Sequence, residues 1–152
     1  MKVHRNKVIV IFFAFLCVAN VIFIFSNSIP SIPESKKTSE QIMEIVDPVL
    51  SNFVEDSDMR HHIVRKSAHV IEFFSLGILL TALLHTLKQS VFWGCSIGIF
   101  VALIDETIQI YTNRGAQLQD VWLDFGSLLV AVVITSVISR AIYSNATKTP
   151  KV

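Results

Sequence analysis

The chain has 152 residues, of which 52% are hydrophobic and only 16% charged, and its mean hydropathy is +0.58. A soluble domain this small needs far more charge to cover its surface, so the composition points to the bilayer as solvent, and the length allows one domain, 1–152. A net charge of +1 without a long Lys/Arg run gives no footing for nucleic-acid binding.

The first apolar run covers residues 8–25, VIVIFFAFLCVANVIFIF, interrupted only by Asn20. At ~1.5 Å per residue it crosses most of a ~30 Å hydrocarbon layer. Lys2, Arg5 and Lys7 precede it, as in a signal peptide. The run is longer than a typical signal core, and FSNSIP offers no small-x-small cleavage site, so an uncleaved helix over about 8–26 is expected.

Residues 27–64 read as an extracytoplasmic segment. The stretch 26–60 holds Pro30, Pro33 and seven acids (Glu34, Glu40, Glu44, Asp47, Glu55, Asp56 and Asp58) against Lys36, Lys37 and Arg60. Ile42, Ile45, Val46, Val49, Leu50 and Phe53 recur at helical spacing, and Thr38 with Gln41 has the form of a capping box. The pattern predicts a short amphipathic helix, with Pro48 as the place for a kink. Such a helix lies on the membrane surface or packs on the loops of the bundle.

Three further membrane helices are expected at about 66–87, 91–111 and 121–142. The fold class is therefore an all-α membrane protein, a four-transmembrane-helix bundle with one amphipathic helix between the first two spans. Gly94 and Gly98 form a GxxxG pair that allows close packing within the bundle. Trp93 and Trp122 fit belt anchors at opposite interfaces. Cys17 and Cys95 fall in apolar runs and read as small buried hydrophobes that build neither a disulfide framework nor a zinc site.

Lys/Arg counts near the span ends set the orientation. Lys2, Arg5, Lys7, Lys88, Arg140, Lys148 and Lys151 fall on one side, and the acidic segment and the 112–119 loop with Arg114 fall on the other. Both termini are expected in the cytoplasm. Arg65 and Lys66 oppose that assignment, but they sit where a functional site would need them.

With this topology the polar residues of three spans meet at the extracytoplasmic end. Arg65, His69 and Glu72 are spaced four and three apart and share one helix face, with Lys66 beside them. Asp105 and Gln109 share a face near the end of the third span, next to Glu106. Asp120 and Asp124 lie one turn apart at the start of the fourth. Ionisable side chains at membrane depth cost about 2–3 kcal/mol each near the centre, so they face inward and find partners. An ion-pair network that fixes helix register accounts for any one of them. The combination of His, Gln, several carboxylates and three cations goes further. A His beside carboxylates does acid/base or covalent chemistry, and Arg65, Lys66 and Arg114 can hold a phosphate. No HxxxH or clustered-His spacing marks a metal site, so no metal ligands are assigned, although His69 with carboxylates leaves a divalent metal open. His4, His61, His62 and His85 read as interfacial or solvated, with His61 and His62 best placed to sense pH at the outer face.

Four stretches, in order, resemble the VanZ-like family, named for teicoplanin resistance. They are FIFSNS at the end of the first span, RKSAHVIEFFSLG at the second, DETIQIY followed by Arg114, and DVWLDFGSLL at the fourth. The family pattern is met by Arg65, Lys66, Ala68, His69 and Glu72, then Asp105, Glu106 and Gln109, then Arg114, and finally Asp120, Asp124 and, at shorter spacing, Gly126. The resemblance implies a four-helix membrane protein of the bacterial cell envelope. It also implies a link to lowered sensitivity to a lipid-tailed glycopeptide, and a relation to membrane enzymes inferred to act on lipid head groups.

Two readings stay open at this point. In the first, the chain is a hydrolase or transferase acting on membrane lipids or lipid-linked envelope precursors. His69, Glu72, Asp105, Glu106, Gln109, Asp120 and Asp124 are then the candidate catalytic set, and Arg65, Lys66 and Arg114 the phosphate-binding set. In the second, it binds or excludes lipid-tailed molecules without chemistry, and the cluster is structural. Four helices without an internal repeat leave little room for a transporter.

Overall fold

The computed structural model describes residues 2–29, 42–112 and 117–148, and their side chains over 6–29, 42–112 and 117–142. Five helices are described: α1 (Lys2–Ser28), α2 (residues 42–50), α3 (Ser57–Leu87), α4 (Phe92–Tyr111) and α5 (Leu118–Lys148). No strand occurs among the described residues. Each of α1, α3, α4 and α5 contains a stretch long and apolar enough to cross a membrane: Asn6–Ser28, Ser57–Leu87, Phe92–Tyr111 and Leu118–Ile142. The architecture is the expected four-span helical bundle with a short helix between the first two spans.

α3 is the central element. It packs on α1, α4 and α5, most extensively on α5, while α4 also meets α1 and α5. The core between them is built on Ile24, Phe73, Leu76, Ala102 and Leu128, all without solvent access. The outward faces are as apolar as the core. Ile11, Phe15 and Ile22 on α1 are 60–68% exposed, and Phe100, Ile110, Val133 and Ile142 on the later spans are similarly open. A water-soluble protein does not display continuous apolar faces of this extent, so the solvent for these faces is lipid.

Without a hydrophobic drive between helices in lipid, close backbone approach becomes the packing device. Gly94 and Gly98 are buried inside the bundle, under Leu84 and Leu128 respectively. The closest approach of one helix to the backbone of another is at Gly77, between α3 and α5. A methyl group there would stand 2.6 Å from the Leu128 carbonyl oxygen and 2.8 Å from Ala131 Cβ.

α3 begins at Ser57, well before residue 66 where hydropathy places the span. Asp56 caps it by accepting from the Asp58 N–H at 3.0 Å. Arg60 then fastens the added turns: its Nη1 donates to the carbonyls of Val54 (2.9 Å) and Glu55 (2.7 Å), and its Nε pairs with Asp47 on α2 at 2.7 Å. Hydropathy registers the apolar part of a helix and misses polar turns that continue it. At the other end Lys88 adopts a left-handed conformation (φ 56°) and its N–H returns to the carbonyls of Leu84 and His85.

α2 runs through Pro48 and gives way to turns at 51–53. The Thr38–Gln41 capping box lies outside the described residues. Met43 is buried, whereas Ile42, Ile45, Val49 and Phe53 point outward, Ile45 and Phe53 being 80% and 82% exposed. Val46 and Leu50 are half-buried, so four of the six apolar positions of the stripe face away from the bundle.

Candidate functional site

The polar residues of the spans meet at one end of the bundle because the helices alternate in direction. α1 and α4 finish there, and α3 and α5 start there. α3 contributes Arg65, Lys66, His69 and Glu72; α4 contributes Asp105, Glu106 and Gln109; α5 contributes Asp120 and Asp124. Glu72, Asp105, Glu106, Gln109 and Asp124 are buried, Asp105 fully and Asp124 to 1% exposure.

His69 stands at the centre. Its Nδ1 is 3.7 Å from Asp105 Oδ2 and 3.8 Å from Asp124 Oδ2, so the imidazole of α3 faces one carboxylate from α4 and one from α5. Asp105 is held firmly. Its Oδ1 accepts from Ser28 Oγ at 2.6 Å, and its Oδ2 accepts from Gln109 Nε2 at 2.9 Å, one turn further along α4. Asp124 differs, for neither of its oxygens accepts a hydrogen bond from any described residue.

The surrounding groups pair off. Glu72 accepts from Asn27 Nδ2 at 2.6 Å. Lys66 forms an ion pair with Asp120 that joins α3 to α5. Glu106 Oε1 accepts from the backbone N–H of Gln117, just ahead of α5, while its Oε2 has no donor among the described residues. Arg65 is half-buried on the α3 face that carries His69. Arg114 lies outside the described residues; of the three candidate phosphate-binding cations, Arg65 and Lys66 are described.

Two further participants come from α1. Asn27 and Ser28, the last turn of α1, reach Glu72 and Asp105, and the Ser28 carbonyl accepts from Thr112 Oγ1 at 3.2 Å. Their signal was the polar SNS ending an otherwise apolar helix. Of the histidines left aside, His62 and His85 are exposed and His61 is half-buried. Cys17 and Cys95 are free thiols, Cys17 buried in the core.

Beside the cluster an open groove of about 320 Å³ runs between α3 and α5, lined by His62, Ile63, Lys66, Ser67, Val70, Ile71 and Leu123. Lys66 thus belongs both to the polar cluster and to a mainly apolar surface.

A helical bundle with lipid-facing sides and ionisable residues gathered at one end of its spans is a multi-pass membrane protein with an internal polar centre. The chain belongs to the VanZ/LLP1 family, whose sequence model matches residues 11–139. Compared with curated proteins and with solved structures, it has no significant match.

Proposed function

We propose that the chain binds lipid or lipid-linked head groups at the extracytoplasmic face of the cell membrane and acts on them as a hydrolase or transferase. The observation that carries this reading is the position of Lys66. It stands between a buried His–carboxylate centre and an apolar groove open to the side of the bundle. An amphiphile with a phosphate head group needs both environments at one place: a cation for the phosphate and an apolar surface for the chain.

Lys66 and Arg65 hold the phosphate in this scheme. The His69–Asp105–Asp124 centre activates the attacking water or alcohol, since an imidazole against carboxylates is the usual means of moving a proton near neutral pH. Asn27, Ser28 and Gln109 position the carboxylates. Lys7, Lys88 and Arg140 at the opposite ends of the helices support this orientation, with both termini in the cytoplasm, through the positive-inside rule. A lipoglycopeptide such as teicoplanin joins an apolar tail to a polar head, so the same site supports a part in resistance.

The non-catalytic reading draws on one observation: Lys66–Asp120, Asn27–Glu72 and Ser28–Asp105 are paired as a scaffold would pair them. Head-group turnover in vesicles of defined phospholipid or polyprenyl phosphate separates the two. The enzyme reading expects turnover that is lost in His69→Ala and Lys66→Ala. Binding of the same lipids without turnover, at unchanged affinity in His69→Ala, would replace it with the binding reading.

A further inference from the structure

Among the described residues Glu72, Asp105, Glu106, Asp120 and Asp124 stand with only Arg65 and Lys66 as fixed cations, and Lys66 is engaged by Asp120. Asp124 is 1% exposed and neither oxygen accepts a hydrogen bond from a described residue. A buried carboxylate without a donor is costly, and a cation at that place would offset the cost.

We propose that His69, Asp105 and Asp124 bind a divalent transition-metal cation, Zn²⁺ or Mn²⁺. Each side chain offers one ligand atom from a different helix, and the three atoms lie within 4.8 Å of one another. Donors bound at about 2.0–2.2 Å to a shared ion stand roughly 3–3.6 Å apart in tetrahedral or cis-octahedral geometry. The His69 Nδ1 separations of 3.7 Å and 3.8 Å from the two carboxylates therefore need only a small contraction.

The surroundings fit the assignment. Ser28 and Gln109 grip Asp105 as donors behind a metal ligand do, fixing its orientation before the ion arrives. One imidazole nitrogen with two carboxylate oxygens suits Zn²⁺ or Mn²⁺, whereas an all-oxygen set would favour Ca²⁺ or Mg²⁺. Three protein ligands also leave coordination positions for water or a phosphate oxygen. The site goes beyond the lipid reading and stands without it. If that reading also holds, His69 Nδ1 would serve as a ligand instead of a base, and the ion would supply the activation of water and offset the carboxylates that repel an anionic head group.

The test uses the full chain, purified in detergent, stripped with EDTA and dialysed against Zn²⁺ or Mn²⁺, with bound metal measured by mass spectrometry. About one equivalent per chain is expected in the wild type and in a His61→Ala/His62→Ala variant, which removes the other neighbouring histidines. Less than a tenth of that is expected in Asp124→Asn and in His69→Ala. A wild type that retains no ion overturns the proposal. So does an Asp124→Asn variant that retains a full equivalent, or a loss of the ion in the His61/His62 variant alone. Should the site variants lose their monodisperse profile, the wild-type Tm decides: a rise with added Zn²⁺ or Mn²⁺ is expected, and a flat Tm with both overturns the site.

Discussion

Ser28 Oγ, in the last turn of α1, donates a 2.6 Å hydrogen bond to Asp105 Oδ1 on α4, and both side chains are closed to solvent. The bond ties the first span to the third across the polar end, and Thr112 closes the same seam by donating to the Ser28 carbonyl. Ser28→Ala removes this donor from a carboxylate that is closed to solvent. A hydrogen bond to a charged group contributes about 1.5–3 kcal/mol, so a loss of that order is expected in detergent unfolding. Ser26→Ala, at an exposed position on the same turn, should leave the midpoint unchanged. Equal effects at both positions would remove Ser28 from the network.

The glycines should rank by what a methyl group would meet. At Gly77 the obstacle is backbone, the Leu128 carbonyl, which cannot turn aside, so Gly77→Ala should push α3 from α5 and reduce folded yield severely. At Gly98 the obstacle is the far end of the Leu128 side chain, which can change rotamer at a moderate cost. Nothing stands within 4 Å at Gly126, where Ala should be neutral or stabilise by up to about 1 kcal/mol through helix propensity. Monodisperse protein recovered from gel filtration gives the order. A Gly126 variant worse than the Gly77 variant would contradict the packing described for α3 and α5.

The parts legible in the sequence are those that one helix displays by itself. The four spans follow from hydropathy, and Arg65, His69 and Glu72 share a face because of their spacing alone. What faces them depends on other helices. His69 meets acids from α4 and α5, whereas Glu72, three residues along its own helix, accepts from Asn27 on α1. Ser28 and its partner are 77 positions apart, and a serine at a span end means little until that partner is known. Gly77 likewise has no GxxxG companion to announce it, while Gly94 and Gly98 do. The polar turns from Ser57 that lengthen α3 were hidden because hydropathy does not see capping or the hold of Arg60.

Orientation can be read from two exposed positions at opposite ends of the bundle. Ser51 follows α2 near the polar end, and Ser90 lies in the turn between α3 and α4. With Cys17 and Cys95 replaced by Ala, Ser51→Cys should react with an impermeant thiol reagent in intact cells. Ser90→Cys should react only after permeabilisation. The reverse pattern would turn the polar centre toward the cytoplasm and remove the extracytoplasmic substrate from the proposed function.

The outward stripe of α2 predicts contact with the bilayer surface. A tryptophan in place of Phe53, which is 82% exposed, should be quenched by lipids brominated near the head group in a Trp93→Phe/Trp122→Phe background. Ile45→Glu should weaken that quenching while leaving the folded bundle in detergent unaffected, because Ile45 is 80% exposed. Emission typical of full exposure to water, with no quenching, would show that α2 stands clear of the lipid.

Asp124 gives the sharpest division between fold and function. A side chain kept for stability should be worse when neutralised, since removing one member of a buried pair costs roughly 3–5 kcal/mol. Asp124 has no hydrogen-bond donor among the described residues for either oxygen, and the His69 imidazole stands 3.8 Å away, so it gains less from its charge than Asp120 gains from Lys66. In chelator-treated protein, Asp124→Asn keeps the size of the side chain and removes the burden of the buried charge. The unfolding midpoint should hold or rise, by about 1–2 kcal/mol by the usual cost of an uncompensated polar group. Function should vanish in the same variant, read as head-group turnover or as teicoplanin susceptibility of cells expressing it. Asp120→Asn should differ, because it breaks the pair with Lys66 and should lower stability together with function. If Asp124→Asn loses stability and activity in proportion, as Asp120→Asn does, Asp124 is part of the scaffold. Both the head-group chemistry and the metal ligand role would then lose their central residue.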